Sequence, residues 1–148
     1  MAYVTAWLVP QRIIMTYSYG VTTAADVQEN MHIMAPMVEE GIPFIHYITD
    51  GTDVTRNDLS LKDLKGIFGS MEKSPTMGWT CSINPNGMQR FLSAVIFQFA
   101  GMRGRSFASV DDSLKFLAEG DETLPSYEEL AETYAAWRQS LVLEPEMS

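Results

Sequence analysis

The sequence contains few of the residues that build metal and redox sites. Among its 148 residues are one cysteine, Cys81, and two histidines, His32 and His46. One cysteine excludes an intramolecular disulfide and a zinc site with paired cysteines. Two histidines leave little room for a histidine-based metal centre. We therefore predict neither a metal site nor a cofactor, and we interpret Cys81 as a small hydrophobic residue rather than a nucleophile.

Basic residues and long apolar runs are also scarce. The chain has 10 basic and 19 acidic residues, a formal net charge of -9. Nucleic-acid binding needs a basic face, so we predict no nucleic-acid partner. The most apolar segment, residues 91–102, is about half the ~20 residues that span a bilayer, which predicts no membrane insertion. The first residues lack the pattern of a signal peptide, and with the lone cysteine this predicts a cytoplasmic protein.

The motifs of several large enzyme classes are missing. The sequence has no P-loop, no Gly-x-Gly-x-x-Gly, no Gly-x-Ser-x-Gly and no His-Glu-x-x-His pattern. His46 and Asp50 cannot exchange a proton directly, because residues four apart along a strand are roughly 13 Å from each other. We interpret His46 as a packed, hydrogen-bonded core residue. The sequence therefore disfavours an enzyme and predicts no catalytic residue.

Negative charge is concentrated near the C-terminus. Residues 111–148 carry ten acidic side chains against Lys115 and Arg138, whereas residues 1–110 are close to neutral. The acidity therefore belongs to the C-terminal segment and not to the domain over residues 1–120. An acidic linker and an amphipathic helix follow over residues 121–148, packed on the same domain or on a partner subunit.

Hydrophobic patterns predict the element order β-β-α-β-α-β-α-β-α with one more helix at the end. Residues 3–9 and 12–19 are apolar and β-branched, and the short link between them favours an antiparallel pair. The later strands alternate with helices, which is typical of a mainly parallel sheet. Hydroxyl residues followed three positions later by a carboxylate mark the beginnings of four helices, at Thr23/Asp26, Ser60/Asp63, Ser109/Asp112 and Ser126/Glu129.

Four stretches resemble a known family: Trp7–Ile14, Gly20–Thr22, Phe44–Asp50 and Arg105–Leu114. Their order and spacing are similar to those of the SpoIIAA-like fold, which STAS domains share with the core of Sec14-type lipid-binding domains. The nearest likeness is to uncharacterised bacterial members. The resemblance spans residues 1–120. It implies an α/β, STAS-like, mainly parallel sheet of about five strands with an antiparallel edge strand, helices packed on it and an extra C-terminal helix.

One position departs from the pattern of the family. STAS anti-sigma antagonists are phosphorylated in an Asp-Ser-Ser/Thr-Gly loop after the central strand. The corresponding segment here is Asp50-Gly51-Thr52-Asp53, so Gly51 offers no hydroxyl group. A phosphate on Thr52 would lie between two carboxylates, which is electrostatically unfavourable. The sequence thus disfavours the phosphorylation switch of the family.

The same segment is the candidate ligand site. We expect a loop over residues 50–56 at the carboxyl end of a central strand, where open α/β sheets usually bind ligands. A solvated turn is the alternative interpretation. The predicted ligand-binding side chains are Asp50, Thr52, Asp53, Thr55 and Arg56.

The helix over residues 88–100 is apolar on nearly all sides. We expect Phe91, Leu92, Val95, Ile96 and Phe99 to face the sheet, which leaves Phe97 on the outer face. A helix that is apolar all round is buried all round, so the C-terminal helix or a second chain has to cover Phe97. The predicted interface residues of the two helices are Arg90, Ser93, Ala94, Phe97, Gly101, Tyr127, Tyr134 and Trp137. A homodimer and packing within one chain are equally favoured.

Basic residues at the end of that helix offer a weak anion site. Arg90 lies about 15–18 Å from the end that carries Arg103 and Arg105, so the three arginines do not form one site. The turn at residues 101–105 either holds a phosphate or only places cations at the negative end of the helix dipole.

Two functions follow from the sequence, and an enzyme that uses the segment 50–56 is the least favoured third alternative. The first is a non-enzymatic STAS-like module that acts through protein–protein interaction, with a homodimer or another protein as its partner. The second is a carrier or sensor of a small apolar or anionic ligand, or of a lipid, at the carboxyl end of the sheet. A pocket lined by Met31, Met34, Met37 or Phe97 would favour the carrier, since methionine suits adaptable pockets.

Overall fold

A computed structural model of the chain describes residues 3–69 and 75–141. These residues form five strands and five helices. The strands are β1 (Tyr3–Val9), β2 (Ile13–Thr22), β3 (Ile45–Asn57), β4 (Met77–Ile83) and β5 (Gly104–Phe107). The helices are α1 (Ala24–Glu40), α2 (Leu61–Gly69), α3 (Gly87–Ala100), α4 (Val110–Gly120) and α5 (Tyr127–Ser140). The order of elements is the predicted one.

The strands form one sheet in the order β1-β2-β3-β4-β5. β1 and β2 are antiparallel, and every other neighbouring pair is parallel. The predicted fold class, a mainly parallel sheet with an antiparallel edge strand, is therefore confirmed. On one face of the sheet α2 contacts both α1 and α3, and α4 and α5 pack together on the other face. Within the described residues, no helix is both long enough and apolar enough to cross a membrane.

The main core lies between the sheet and the α4–α5 pair. Alternate residues of a strand share a face, so Trp79, Cys81 and Ile83 of β4 all join this core, as predicted. Leu114 of α4 and Leu130 of α5 are fully buried in it. Burial raises the pKa of the Cys81 thiol to about 12, which keeps the thiol neutral and unreactive.

Side-chain caps mark the helix beginnings. The hydroxyl groups of four predicted cap residues accept a hydrogen bond from the backbone N–H three positions later, in the pairs Thr23/Asp26, Ser60/Asp63, Ser109/Asp112 and Ser126/Glu129. In the first two pairs the carboxylate also accepts from the backbone N–H of the cap residue. All four predicted helix beginnings are confirmed, because the cap satisfies N–H groups that the first helical turn leaves free.

β3 is longer than predicted, and this corrects the expected loop over residues 50–56. The strand continues to Asn57 because β2 continues to Thr22, and the two remain paired over that length. The extension is polar, but Thr52, Val54 and Thr55 are β-branched and suit an exposed strand. The pairing shifts register between Tyr17 and Tyr19, which is the mark of a bulge.

The orientation predicted for α3 is wrong. Phe97 faces the sheet and is 7% exposed, whereas Phe91 and Val95 lie on the outer face. β5 covers Phe97, since a Cβ atom on Gly104 would lie 2.2 Å from the Phe97 ring. No cover from α5 or from a second chain is needed for this ring. The side chains of Leu92, Ile96 and Phe99, predicted to face inward, lie outside the described residues.

This close approach predicts the effect of an added methyl group. We expect Gly104→Ala to destabilise the fold by about 1 kcal/mol or more, because the buried Phe97 ring has to move. Gly66→Ala is the matched control: nothing lies within 4 Å of its Cβ position, and inside α2 the change should stabilise by roughly 0.5–1 kcal/mol. Urea unfolding of both variants measures the difference. Equal stability of the two would contradict the described packing of Phe97.

Candidate functional site

The C-terminal helix α5 contacts two of the predicted ligand residues of β3, Asp50 and Asp53. Asp50 is 2% exposed, and its carboxylate accepts three hydrogen bonds. Tyr134 of α5 donates its hydroxyl at 2.6 Å, and Thr52 donates its backbone N–H at 3.1 Å and its hydroxyl at 2.6 Å. A buried carboxylate needs such donors because it has lost its water. Asp50 therefore fixes α5 to the middle of the sheet.

A second set of contacts joins the end of α5 to β2 and β3. The Tyr17 hydroxyl donates a short hydrogen bond to Asp53, and Arg138 donates to the Tyr17 oxygen at 2.8 Å. The guanidinium carbon of Arg138 lies 4.0 Å from the centre of the Tyr17 ring, and its nitrogen lies 3.4 Å from the Asp53 carboxylate. Arg138 thus makes both a cation–π contact and an ion pair.

The bulge in the β2–β3 pairing brings these acidic residues to one face. Residues three apart in a regular strand point to opposite faces. Asp50 and Asp53 nevertheless both reach side chains of α5. Thr55 and Arg56 lie beyond, on the exposed end of the strand, where Arg56 forms an ion pair with Asp58 at 2.9 Å. The binding of a ligand by these residues stays a prediction, and α5 uses two of them.

The tyrosines of this cluster are proton donors and not bases. Burial and the hydrogen bond to Asp53 raise the pKa of Tyr17 to about 12. Burial and the hydrogen bond to Asp50 raise the pKa of Tyr134 well above its ordinary value. Both hydroxyls keep their protons at neutral pH and hold carboxylates in place. This chemistry stabilises a docked helix.

His46 lies at the opposite, amino end of the sheet. Its Nδ1 accepts the backbone N–H of Trp79 at 3.0 Å, so Nε2 carries the proton and donates to Asp121 at 2.9 Å. Arg12 donates to the same Asp121 oxygen at 2.8 Å. With both nitrogens bonded, His46 has no free lone pair for a substrate proton. The interpretation of His46 as a packed, hydrogen-bonded residue is confirmed.

The surroundings hold the pair as a neutral imidazole and an anion. Burial lowers the pKa of His46, and the hydrogen bond and charge of Asp121 oppose this without reversing it. Burial disfavours the charged form of Asp121, but hydrogen bonds from His46 and Thr123 and the charge of Arg12 outweigh it and lower the pKa of Asp121 to about 2. The cluster joins the segment before α5 to the amino end of β3.

A closed network of hydrogen bonds joins Asn30 of α1 to the sheet. Thr5 donates to the Asn30 carbonyl oxygen at 2.5 Å, and the Asn30 amide donates to Thr16 and Tyr47 at 3.1 Å each. Tyr47 donates to Thr16 at 2.9 Å, so the Thr16 hydroxyl donates to Thr5 at 2.8 Å. Burial raises the pKa of Tyr47. Each member is satisfied by the others, which leaves no donor free for a ligand.

An open pocket of about 230 Å³ lies between α1 and α2. Its lining residues are Ala24, Gln28, Lys62, Asp63, Gly66 and Ile67. Ligand pockets for drug-sized molecules are larger, about 300–1,000 Å³. Met31, Met34, Met37 and Phe97, which would favour a carrier, do not line it. Among the described residues, no group of three or more histidine, cysteine or acidic side chains could hold a metal ion.

Most of the predicted interface side chains have partners within the chain. Arg90 donates to the carbonyls of Asn84 and Pro85, both at 2.9 Å, and the hydroxyl oxygens of Ser93 and Ser82 are 3.5 Å apart. Gly101 ends α3 at φ 63°, a conformation that glycine adopts without strain. The aromatic residues of α5 pack against the core of the same chain: Tyr127, Tyr134 and Trp137. Ala94 is exposed on the outer face of α3 beside Phe91 and Val95.

The sequence interpretation missed four residues that complete these clusters: Arg12, Tyr17, Asp121 and Arg138. Asp121 is 75 positions from His46, and Arg138 is 121 positions from Tyr17. No local pattern reports such pairs. The clean apolar spacing of α5 was the one available signal, since it required a surface on which the helix could pack.

Comparison with known proteins agrees with this architecture. No protein-family model matches the chain, and no curated protein matches it significantly. An uncharacterised DUF3478-family protein with a SpoIIAA-like fold from Shewanella loihica PV-4 aligns with a TM-score of 0.56 at 17% identity, over 78% of this chain and 92% of that one. The anti-sigma factor antagonist SpoIIAA in its unphosphorylated form aligns with a TM-score of 0.53 at 16% identity, over 80% and 97%. Identities this low concern the fold alone, and the chain has the SpoIIAA-like fold.

Proposed function

We propose that the protein is a non-enzymatic, STAS-like interaction module that forms a homodimer through the outer face of α3. The observation that carries this proposal is an exposed apolar stripe. Met88, Phe91 and Val95 follow one another at spacings of three and four residues and are 65%, 63% and 37% exposed. Large apolar side chains that are exposed together mark interaction surfaces.

The charge distribution favours a second copy as the occupant of this face. The chain carries a net charge of -9, so two copies repel each other in most orientations. α3 has one charged residue, Arg90, and its guanidinium group is bonded to the carbonyls of Asn84 and Pro85, just before the helix. Two α3 helices can therefore meet without bringing carboxylates together. A twofold axis through α3 pairs each apolar stripe with its own copy.

The polar clusters support interaction rather than catalysis or transport. The carboxylate of Asp50, the imidazole of His46 and the tyrosines beside them are all bonded within the fold. The pocket between α1 and α2 is small and partly polar. A regulatory role through a partner protein is in keeping with the fold, because SpoIIAA is an antagonist of an anti-sigma factor.

Native mass spectrometry of the wild type and of Phe91→Glu tests the proposal. We expect a wild-type dimer at the bare chain mass and a Phe91→Glu monomer. The variant should fold normally, because the side chain is exposed. Phe44→Glu is the matched control, since Phe44 is also about half exposed but lies next to β3, and it should remain a dimer.

Three results would overturn the proposal. These are a monomeric wild type, a Phe91→Glu dimer of unchanged stability, and loss of the dimer in Phe44→Glu only. A monomer that retains an additional small mass would support the ligand carrier instead. Thermal unfolding followed by circular dichroism verifies that each variant is folded before its mass is interpreted.

A further inference from the structure

Two arginines beside the edge strand β5 have no acidic partner among the described residues. Arg103 and Arg105 are exposed, whereas Arg12, Arg56 and Arg138 each contact a carboxylate. Their guanidinium groups lie against aromatic rings instead. Arg103 is 5.7 Å from the centre of the Trp79 ring, and Arg105 is 5.7 Å from that of Phe107 and 4.8 Å from that of Phe116.

The aromatic rings hold these cations in place. Trp79 and Phe116 make an edge-to-face contact at 4.8 Å, and Phe107 and Phe116 lie 5.4 Å apart. A guanidinium group that stacks on a ring uses its face, while its N–H donors remain at the edge of the group. No carboxylate of residues 3–69 or 75–141 is bonded to the donors of Arg103 and Arg105, so within this part of the chain they are available to an anion. Their positions differ by two, which places both side chains on one face of the sheet.

β5 also presents unpaired backbone groups. It is the last strand of the sheet, and no further strand pairs with it in residues 3–69 and 75–141. On its inner side, the carbonyls of Arg103 and Phe107 accept hydrogen bonds from β4 and the residue after it. Backbone groups alternate in direction along a strand, so the N–H and C=O of Ser106 point outward. The edge offers a donor and an acceptor to an added strand.

We propose that this edge binds an extended acidic peptide segment as a sixth strand, with carboxylates at alternate positions on Arg103 and Arg105. Strand addition supplies main-chain hydrogen bonds, and side chains on one face supply specificity. Alternate residues of an extended peptide repeat at about 6.6 Å, which matches the two-residue separation of Arg103, just before β5, and Arg105 within it. Cross-strand pairs of opposite charge then form on the face that α4 borders.

The charge of the chain makes this surface selective. An acidic peptide is repelled by most of a protein with a net charge of -9. At physiological salt, however, charges act over about 8 Å, so Arg103 and Arg105 oppose this repulsion locally at β5. The surface is separate from the outer face of α3, which lies on the other side of the sheet. Peptide binding and dimer formation can therefore succeed or fail independently.

A labelled peptide of sequence Thr-Glu-Val-Glu-Val-Glu-Thr, followed by fluorescence anisotropy, tests the proposal. We expect saturable binding to the wild type. Arg103→Gln and Arg105→Gln should each weaken binding up to about fivefold, and the double variant up to about 25-fold. Arg56→Gln, which removes an exposed arginine that already has a carboxylate partner, should leave affinity unchanged. Phe91→Glu should also bind the peptide with unchanged affinity.

A backbone-methylated peptide separates strand addition from simple charge attraction. N-methylation of the residues that face β5 removes their donors and should abolish binding, while the carboxylates remain. The amide resonance of Ser106 should shift when the unmodified peptide binds. No binding up to about 1 mM peptide would overturn the proposal. Equal affinity of the methylated peptide, or equal weakening by Arg56→Gln, would overturn it too.

Discussion

Replacing Tyr134 with phenylalanine is expected to destabilise the fold by about 1.5–3 kcal/mol, although it removes one oxygen atom. The Tyr134 hydroxyl donates to Asp50, whose carboxylate is 2% exposed. Without this donor the carboxylate keeps its charge and its burial but has two hydrogen bonds, both from Thr52. The loss of this hydrogen bond at the buried Asp50 carboxylate costs more free energy than burial of the more apolar phenylalanine ring contributes. The free energy of unfolding should therefore fall.

A double-mutant cycle assigns the loss to this contact. In an Asp50→Ala background, Tyr134→Phe should cost less than about 0.5 kcal/mol, because the acceptor is no longer present. Tyr127→Phe is the matched control on the same helix: its hydroxyl donates to Asp111 at 2.6 Å, but both groups are exposed, and we expect little change. Urea unfolding provides the stabilities of the four proteins in the cycle and of the Tyr127→Phe control. Equal costs for Tyr134→Phe in the two backgrounds would show that Asp50 does not depend on this donor.

The docking of α5 also changes the interpretation of the acidic C-terminal part. The sequence predicted an acidic linker and a helix packed on the same domain or on a partner subunit. In the structure α5 lies on the sheet of its own chain, where Leu130 joins the core and Tyr134 and Arg138 bond to Asp50 of β3 and Tyr17 of β2. Arg138 is one of two basic residues between positions 111 and 148, and it lies on Tyr17 and Asp53. The helix therefore engages Asp50 and Asp53, two of the five side chains for which the sequence predicted ligand binding.

Local patterns predicted the fold because each one reports a local requirement. The cap at Thr23 satisfies N–H groups within one turn, and the short link after β1 favours an antiparallel pair. Cys81 and Ile83 alternate with polar residues, and that alternation fixes which side faces the core. These requirements depend on a few neighbouring residues, so the sequence was sufficient to predict them.

The orientation of α3 was not predictable in the same way. Apolar residues lie on every side of this helix, so periodicity gives no direction. What decides its orientation is Gly104 on β5, where the missing side chain leaves room for the Phe97 ring. The contact joins α3 and β5, and the sequence of neither element alone indicates which side of α3 faces the sheet. The polar pairs Tyr134–Asp50 and His46–Asp121 were missed for the same reason, because their members are 84 and 75 positions apart.

The stability of the protein is expected to fall as the pH decreases from 6.5, with His46 as the cause. The pKa of His46 is lowered in the fold because the imidazole is buried, and the charges of Arg12 and Arg103 add to this. In the unfolded chain the group titrates near 6.5. Below that pH the unfolded state binds a proton that the native state does not, so the free energy of unfolding decreases by up to about 1.4 kcal/mol per pH unit. Above pH 6.5 both states are neutral and the contribution is constant.

Urea unfolding between about pH 7 and pH 5.5 separates His46 from the carboxylates, which titrate lower. Asp121 keeps its charge throughout, since its pKa is about 2. His46→Gln retains a donor for Asp121 but cannot be protonated, so the stability of this variant should be independent of pH in this range. At pH 7 the variant should be less stable than the wild type. His32→Gln, which changes the exposed histidine on α1, should follow the wild-type pH dependence. If His46→Gln lost stability with the same slope as the wild type, the acid sensitivity would arise elsewhere, and the neutral His46–Asp121 pair would not be its source.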